Sequence, residues 1–308
     1  MKTIVITGIG GDIAQGVATI IREQRPEIRL IGVDMNLQHG GYLFVDDFIQ
    51  VPSSNSSKYI QKIKDILLSE SVDTIIPMSE PELEVMYPYI SKLGETHCIC
   101  AGERVISVGI DKLLTINVLK EIGIPVPWTL SVSDGLPSDF PCILKNRYGS
   151  GSRNIYVVED VIEAEYLSLK YPDTIFQEML EPADQEITCA VYRRRDGNVA
   201  SLLMLRRLIG GYTGWAKVIE DEATFLMCES IAKGLDLYGS MNIQLRITEQ
   251  GPRVFEINPR FSSTVLMRHI LGFSDVLWSL DESEGKLVSF PKIITNQIIV
   301  RTQSAKIC

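Results

Sequence analysis

The first hundred residues alternate strand-forming and helix-forming segments, a rhythm that restricts them to a parallel sheet with helices on its faces. Strand-like runs at Thr3–Thr7, Leu30–Val33, Thr74–Pro77 and His97–Ala101 are separated by amphipathic stretches through Gln15–Glu23, Lys58–Ser69 and Pro81–Leu93. A sheet built this way presents its ligands at the C-terminal ends of the strands. The segment Ser79-Glu80-Pro81-Glu82 lies at one such end. Ser79 or Glu80 there is a candidate to touch a ligand, and an N-cap role for Ser79 accounts for it equally well.

The first strand runs into Gly8-Ile9-Gly10-Gly11-Asp12-Ile13, and the region resembles half of a Rossmann fold, with Asp34 where a dinucleotide fold keeps its ribose-binding acid. Ile13 stands where the fingerprint requires Gly or Ala. A tight strand-to-helix turn explains the glycines as well as a cofactor does.

Near residue 108 the pattern changes. Asp111-Lys112-Leu113-Leu114-Thr115 opens a helix that stops at Gly123, before Pro125 and Pro127. Strand-like segments dominate from there: Cys142–Asn146, Asn154–Val158, Thr174–Glu178, Glu186–Arg193, Ser201–Arg207, Met241–Ile247 and Arg253–Asn258. Helices through Val161–Lys170 and Ala223–Gly234 interrupt them, and Ile293–Arg301 is strand-like. The chain therefore reads as α/β followed by α+β.

A formal charge of −9 without a long Lys/Arg run excludes the electrostatic footprint of a nucleic-acid binder. No stretch reaches the ~18 apolar residues of a membrane helix, and the start lacks a signal peptide. A cytoplasmic protein with no membrane partner is the expectation. The cysteines at 98, 100, 142, 189, 228 and 308 form no CxxC pair and have no histidine partner, so they read as free thiols and not as zinc ligands or nucleophiles.

Chemistry concentrates in two places. In Arg253-Val254-Phe255-Glu256-Ile257-Asn258-Pro259-Arg260, strand alternation sets Glu256 and Asn258 on one face ~6–7 Å apart and turns Phe255 and Ile257 to the core. A hairpin centred near Gln250 brings Gln244 opposite Glu256. Oxygen-only donors, with phosphate and water completing the shell, suit Mg²⁺. Arg260 is a permanent cation placed to stabilise developing charge. The second place is Lys145 at a strand end, followed by Gly149-Ser150-Gly151-Ser152-Arg153-Asn154, a loop able to close over phosphates. It is not a Walker loop, since no Gly-Lys-Ser/Thr opens a helix.

In this order, from Asp111-Lys112 through Lys145 and the glycine loop to Glu256-Ile257-Asn258-Pro259-Arg260, the residues resemble the ATP-grasp superfamily, most closely half of a carbamoyl-phosphate synthetase large chain. The resemblance covers nearly the whole chain. It implies an N-terminal half-Rossmann (pre-ATP-grasp) domain over 1–108, then a two-part ATP-grasp fold, with a lid subdomain over 109–176 and a metal- and nucleotide-binding subdomain over 177–308.

By the same resemblance Lys112 and Lys145 contact the α- and β-phosphates of ATP, and Gly149, Ser150, Gly151 and Ser152 cover them. Glu178, Met179 and Leu180 form the adenine hinge, and Glu186 binds the ribose. Gln244, Glu256 and Asn258 hold two Mg²⁺ ions, with Mn²⁺ as a substitute. Arg260 and Arg207 act on the substrate or the γ-phosphate. As plain surface groups, Glu178, Glu186 and Arg207 would be a pair of carboxylates and a solvated strand end. Asn146 stands where many relatives have Pro.

The implied activity is an ATP- and Mg-dependent ligase that joins small-molecule carboxylate and amine substrates through an acyl phosphate. The alternatives are a bicarbonate- or carbamate-phosphorylating enzyme and a non-catalytic ATP-binding protein. A homodimer is compatible with each.

Overall fold

The computed structural model describes residues 1–149 and 155–302, and their strands form three sheets. β1 (Thr3–Thr7) is buried along its length because Ile4, Val5 and Ile6 supply apolar side chains to both faces, as a central parallel strand requires. It lies between β2 (Arg29–Asp34) and β4 (Thr74–Ile76) in the order β3-β2-β1-β4-β5, completed by β3 (Asp47–Gln50) and β5 (His97–Cys98), and every pairing is parallel. Helix α1 (Asp12–Gln24) packs with Ile4 and Ile6 on one face, and α2 (Tyr59–Ser69) packs with Val5, Ile31 and Val33 on the other. Helix α3 (Glu80–Met86) begins where β4 ends.

Sequence missed β3, since Asp47-Phe48-Ile49-Gln50 is only half-buried and has no apolar phase. The helix expected over Pro81–Leu93 is α-helical only to Met86 and continues as a 3₁₀ segment, Tyr87–Lys92, because Pro88 has no N–H to extend the ladder.

Helix α4 (Glu103–Gly109) leads to α5 (Lys112–Glu121), and the boundary expected near 108 falls in the last turn of α4. Gly109 matters there: a Cβ would stand 3.0 Å from Pro259 Cδ, so the glycine lets α4 abut the end of the Gly251–Asn258 strand and the proline that follows it. A four-stranded sheet follows, ordered β6-β9-β7-β8, from β6 (Thr129–Ser131), β7 (Cys142–Asn146), β8 (Tyr156–Val158) and β9 (Thr174–Glu178), backed by α6 (Val161–Lys170). Because β9 pairs with β7 through Glu178, a division at 176/177 would cut this strand; the two sheets part between Glu178 and Glu186.

The six-stranded sheet runs β14-β13-β10-β11-β12-β15, from β10 (Glu186–Arg193), β11 (Val199–Ile209), β12 (Tyr212–Val218), β13 (Gly239–Thr248), β14 (Gly251–Asn258) and β15 (Ile298–Val300). β12 has no counterpart among the strand-like segments of the sequence, yet it pairs with β11 in antiparallel register. One face is apolar throughout: Ile187, Cys189, Val191, Leu203, Met241, Ile243, Leu245, Val254 and Ile257 pack with α7 (Glu222–Gly234) and with residues of α4 and α5.

The other face changes character along the strands. Ala190, Tyr192, Leu202, Met204, Ala216 and Val218 pack on Phe273 and Trp278. Thr188, Glu186, Arg206, Gln244, Arg246, Glu256 and Asn258 carry the same face toward the other end. Among the described residues no helix is long and apolar enough to cross a membrane.

Helices α8 (Val265–Ile270) and α9 (Asp275–Ser283) tie the sheet to α1. Gly16 of α1 makes this possible, since a Cβ there would meet Val265 Cγ1 at 2.9 Å. Between α8 and α9, Arg268 and Asp275 form an ion pair with side-chain exposures of 0% and 1%. Ser262 and Ser240 complete their hydrogen bonding. Removing one partner of such a pair strands the other charge. Arg268→Met is therefore expected to lower the unfolding free energy in urea by about 3–5 kcal/mol, and Arg268→Met with Asp275→Leu to recover most of that loss.

Candidate active site

Two hairpin strands build the floor. Gln244 pairs with Glu256 and Asn242 with Asn258, as the turn near Gln250 predicts. The register then shifts by one residue: Leu245 faces Val254, and Phe255 is the extra residue of a β-bulge. Phe255 is accordingly not in the core, contrary to simple alternation, and Val254 takes its place there. The ring of Phe255 lies instead 5.6 Å below the Lys145 ammonium, which also donates to the Phe255 carbonyl at 3.4 Å.

The two lysines arrive from separate elements knitted together by Asp111. This residue N-caps α5 through the amides of Leu113 and Leu114, and it accepts from Arg147 Nε and Nη2 at 2.9 and 2.6 Å and from the Tyr148 hydroxyl. Burial works to raise the Asp111 pKa, but Arg147 and the cap amides outweigh it and hold the carboxyl below its ordinary value. The start of α5 and the end of β7 are thereby fastened. Lys112 Nζ sits 3.4 Å from Glu256 Oε1 and donates to the Gly149 carbonyl. Burial pushes the Lys145 ammonium down to about 8; Glu256 opposes this and Lys112 adds to it.

The remaining charges interlock on the same face. Glu186 accepts from Arg206 Nε at 2.8 Å with one oxygen and from Arg246 Nη2 at 2.8 Å with the other, while Arg206 also donates to Gln244 Oε1 at 3.1 Å. Arg246 continues to the Leu180 carbonyl at 2.5 Å. Glu178 takes Arg253 at 2.7 Å and the Trp128 amide at 3.1 Å. Arg260 Nη2 donates to Glu80 at 2.9 Å and to Asn258 Oδ1 at 3.3 Å. Glu80 crosses from the N-terminal sheet to make this bond, and burial raises its pKa against the pull of Arg260.

Lys112, Lys145, Glu186, Gln244, Glu256, Asn258 and Arg260 thus share one polar face as an electrostatic network, its hydrogen bonds falling into separate groups, with Glu178 and Leu180 at its margin. Met179 is half-buried beside them. Arg207 is not in the network. It points to the opposite side, donating to the Asp184 carbonyl at 2.6 Å with its guanidinium over Trp215, and Arg206 occupies the position sequence gave to Arg207. Both faces of β11 are apolar at Leu202–Leu205, so alternation supplied no phase to separate the two arginines. Ser150, Gly151 and Ser152 lie outside the described residues; Gly149 lies at their border, with φ +87°. Glu80, a candidate ligand contact by sequence, joins the site through Arg260. Its signal was its place after a strand end. Ser79 does not cap α3 with its hydroxyl, which donates instead to Glu82 at 2.7 Å.

The dinucleotide alternative meets a filled turn. The Asp34 carboxylate accepts the Gly10 amide at 2.9 Å. A Cβ on Gly41 would come within 2.2 Å of the Ile9 carbonyl, so the chain itself packs against the glycine turn. A carboxylate already bonded to the loop amide repels a pyrophosphate there.

The donor set fits a nucleotide and a hard cation. Lys112, Lys145, Arg206, Arg246 and Arg260 outnumber Glu80, Glu186 and Glu256. Arg246 Nε, Arg260 Nε and Asn258 Nδ2 are buried N–H donors without an acceptor among the described residues. Such groups match an acceptor-rich anion. Gln244, Glu256 and Asn258 offer oxygen alone, with one negative charge, so an ion held there needs phosphate oxygens as further ligands.

Comparison with known proteins agrees with this geometry. A family model described as an ATP-grasp domain matches residues 110–264, half of the chain. The chain belongs to the ATP-grasp family. A second model, the PylC-like N-terminal domain, matches residues 4–100 of this ATP-grasp chain. A carbamoyl-phosphate synthase of Methanobrevibacter smithii is 25% identical over 139 residues, 42% of this chain and 38% of that protein; the match spans well under half the length of that curated relative.

Among solved structures, an N5-carboxyaminoimidazole ribonucleotide synthetase in its ADP complex superposes with TM-score 0.78 at 16% identity, covering 97% of this chain and 81% of the other. An L-amino acid ligase from Bacillus licheniformis gives 0.70 at 16%, covering 93% and 75%. Both share the fold: a parallel N-terminal sheet followed by the two antiparallel sheets.

The position of Lys145 sets a pH dependence. Its pKa in the free protein is lowered to about 8, and a bound polyphosphate favours the charged form and raises it again. Affinity for ATP should be level well below pH 8 and fall as pH rises through it, by about fivefold between pH 8 and 9. Titration calorimetry at pH 7, 8 and 9 checks this. Lys145→Met, which retains only the titration of the nucleotide, should bind more weakly and lose most of the slope.

Proposed function

We propose that this chain is an ATP- and Mg²⁺-dependent carboxylate–amine ligase, acting in the cytoplasm on small molecules through an acyl phosphate. The observation that carries the reading is the cation surplus gathered over the Gln244–Glu256–Asn258 oxygen face, in a site whose described residues include no Ser, Cys or His placed as a nucleophile. Phosphoryl transfer asks for alignment and charge neutralisation, which such a site supplies.

In this reading Lys112 and Lys145 bind the phosphates, with Gly149 at the edge of the covering loop. The hinge from Glu178 through Met179 and Leu180 receives the base, and Glu186 orients Arg206 and Arg246 toward the nucleotide. Mg²⁺ on Gln244, Glu256 and Asn258 would neutralise the charge between the β- and γ-phosphates. Arg260 meets the substrate carboxylate as its oxygen attacks the γ-phosphorus and ADP leaves. The amine then attacks the acyl carbon, and phosphate departs.

A bicarbonate- or carbamate-phosphorylating enzyme is the second reading, favoured by the likeness to a carbamoyl-phosphate synthase. Both use the same ATP residues. ADP release by the purified protein with Mg²⁺, screened against amino acids, other carboxylates and bicarbonate with and without amines, separates them. One carboxylate–amine pair should stimulate turnover, and Glu256→Ala should reduce it roughly 100-fold or more. Stimulation by bicarbonate alone supports the second reading, and ATP binding without turnover under any condition refutes both.

A further inference from the structure

We propose that Glu80 is the carboxylate that receives the amine substrate and takes its proton before attack on the acyl phosphate. The proposal rests on the ligase reading above. An amine reaches a neutral-pH active site as R–NH₃⁺, with no lone pair to donate, so the second half of the reaction needs a base near the acyl carbon.

Three other carboxylates border the site, and each is committed. Both oxygens of Glu186 are held by Arg206 and Arg246, and Glu178 is held by Arg253 and the Trp128 amide. Glu256 faces Lys112 on the oxygen face assigned to the cation. Glu80 differs. One oxygen takes Arg260, and among the described residues the other has no donor.

Its placement fits the role. Glu80 opens α3 at the C-terminal end of β4, and it is the one carboxylate of the network contributed by the N-terminal sheet. Arg260, its partner, is the residue that meets the substrate carboxylate, so the base and the activated carbonyl are held by a single guanidinium. The charged groups facing Glu80 are Arg260, Glu256 and Lys112, and burial is the largest influence on it, holding its pKa above the ordinary value. A carboxylate so raised is a stronger base than a solvated one.

The step balances. Glu80 accepts one N–H proton from R–NH₃⁺, the freed lone pair forms the C–N bond, and the acyl C–O bond breaks with its electron pair leaving on phosphate. The second N–H proton goes to that phosphate, and Glu80 returns its own to solvent.

Hydroxylamine supplies the test, because it is largely neutral at pH 7 and attacks an acyl phosphate without prior deprotonation. Wild type and Glu80→Gln are compared with the carboxylate identified by the ADP-release screen, using either its amine partner or hydroxylamine. The expected result is a roughly 100-fold fall in amide kcat for Glu80→Gln, with hydroxamate formation kept within about threefold. Amide formation by the variant should also climb with pH toward the pKa of the amine, whereas in wild type it falls as pH drops through the raised pKa of Glu80.

Equal loss of amide and hydroxamate would make Glu80 a support for Arg260 only and overturn the proposal, and so would retention of both. Absence of hydroxamate from wild type with every carboxylate would remove the ligase reading itself, and this proposal with it. Retained hydroxamate formation also shows that the variant is folded.

Discussion

The carboxylate of Glu186, held between Arg206 and Arg246, is the interaction on which the rest of the site depends. Its partners come from the two strands that flank β10, and Arg246 extends the chain of bonds to the Leu180 carbonyl beyond the sheet. Two guanidinium groups pressed together would repel. One anion between them lets both face the same cleft, and both oxygens are saturated in doing so. The sheet can then be apolar at one end of a face and cationic at the other.

That division shows how a fold becomes a site. The apolar face of the six-stranded sheet is continuous and gives stability; the opposite face is apolar only as far as Tyr192 and Met204. Beyond that line the paired residues Thr188, Glu186, Arg206, Gln244, Arg246, Glu256 and Asn258 are polar, and strand register supplies each. Lys112 and Lys145 come from outside the sheet, and the Asp111–Arg147 clasp brings them to it. Glu80 comes from farther still, through a helix start in another sheet. The electrostatic work is shared by three structural units, none of which holds enough charge alone.

Much of this was legible in sequence. The parallel N-terminal sheet follows from strand–helix rhythm, and the Gln244–Glu256 pairing follows from a Gly/Pro turn between two alternating strands. Less visible was whatever depended on a phase that apolar residues hide. Leu202-Leu203-Met204-Leu205 is buried on both sides, so nothing local told Arg206 from Arg207. β3 and β12 are short on apolar alternation and exist because a neighbour offers a free edge. Phe255 reads as core by counting in twos, and only the pairing with β13 reveals the extra residue. The Arg268–Asp275 pair was invisible, since its partners are buried by helices that carry weak sequence signals.

The bulge at Phe255 has a consequence for how the chain can vary. The bulge absorbs one residue: Val254 and Glu256 lie two apart, yet one faces the core and the other the cleft, because Phe255 has no partner of its own on β13. Loss of Phe255 alone would leave Val254, Glu256 and Ile257 in plain alternation with Glu256 still opposite Gln244, whereas loss or gain of one residue after Glu256 would turn the end of β14 by half a period and take Asn258 out of the cleft. Side chains along this segment can be exchanged while the geometry survives, and the Thr248–Gly251 turn can grow or shrink at the far end. The spacing from Glu256 to Arg260 cannot, so the site is encoded as much in the count of residues there as in their chemistry.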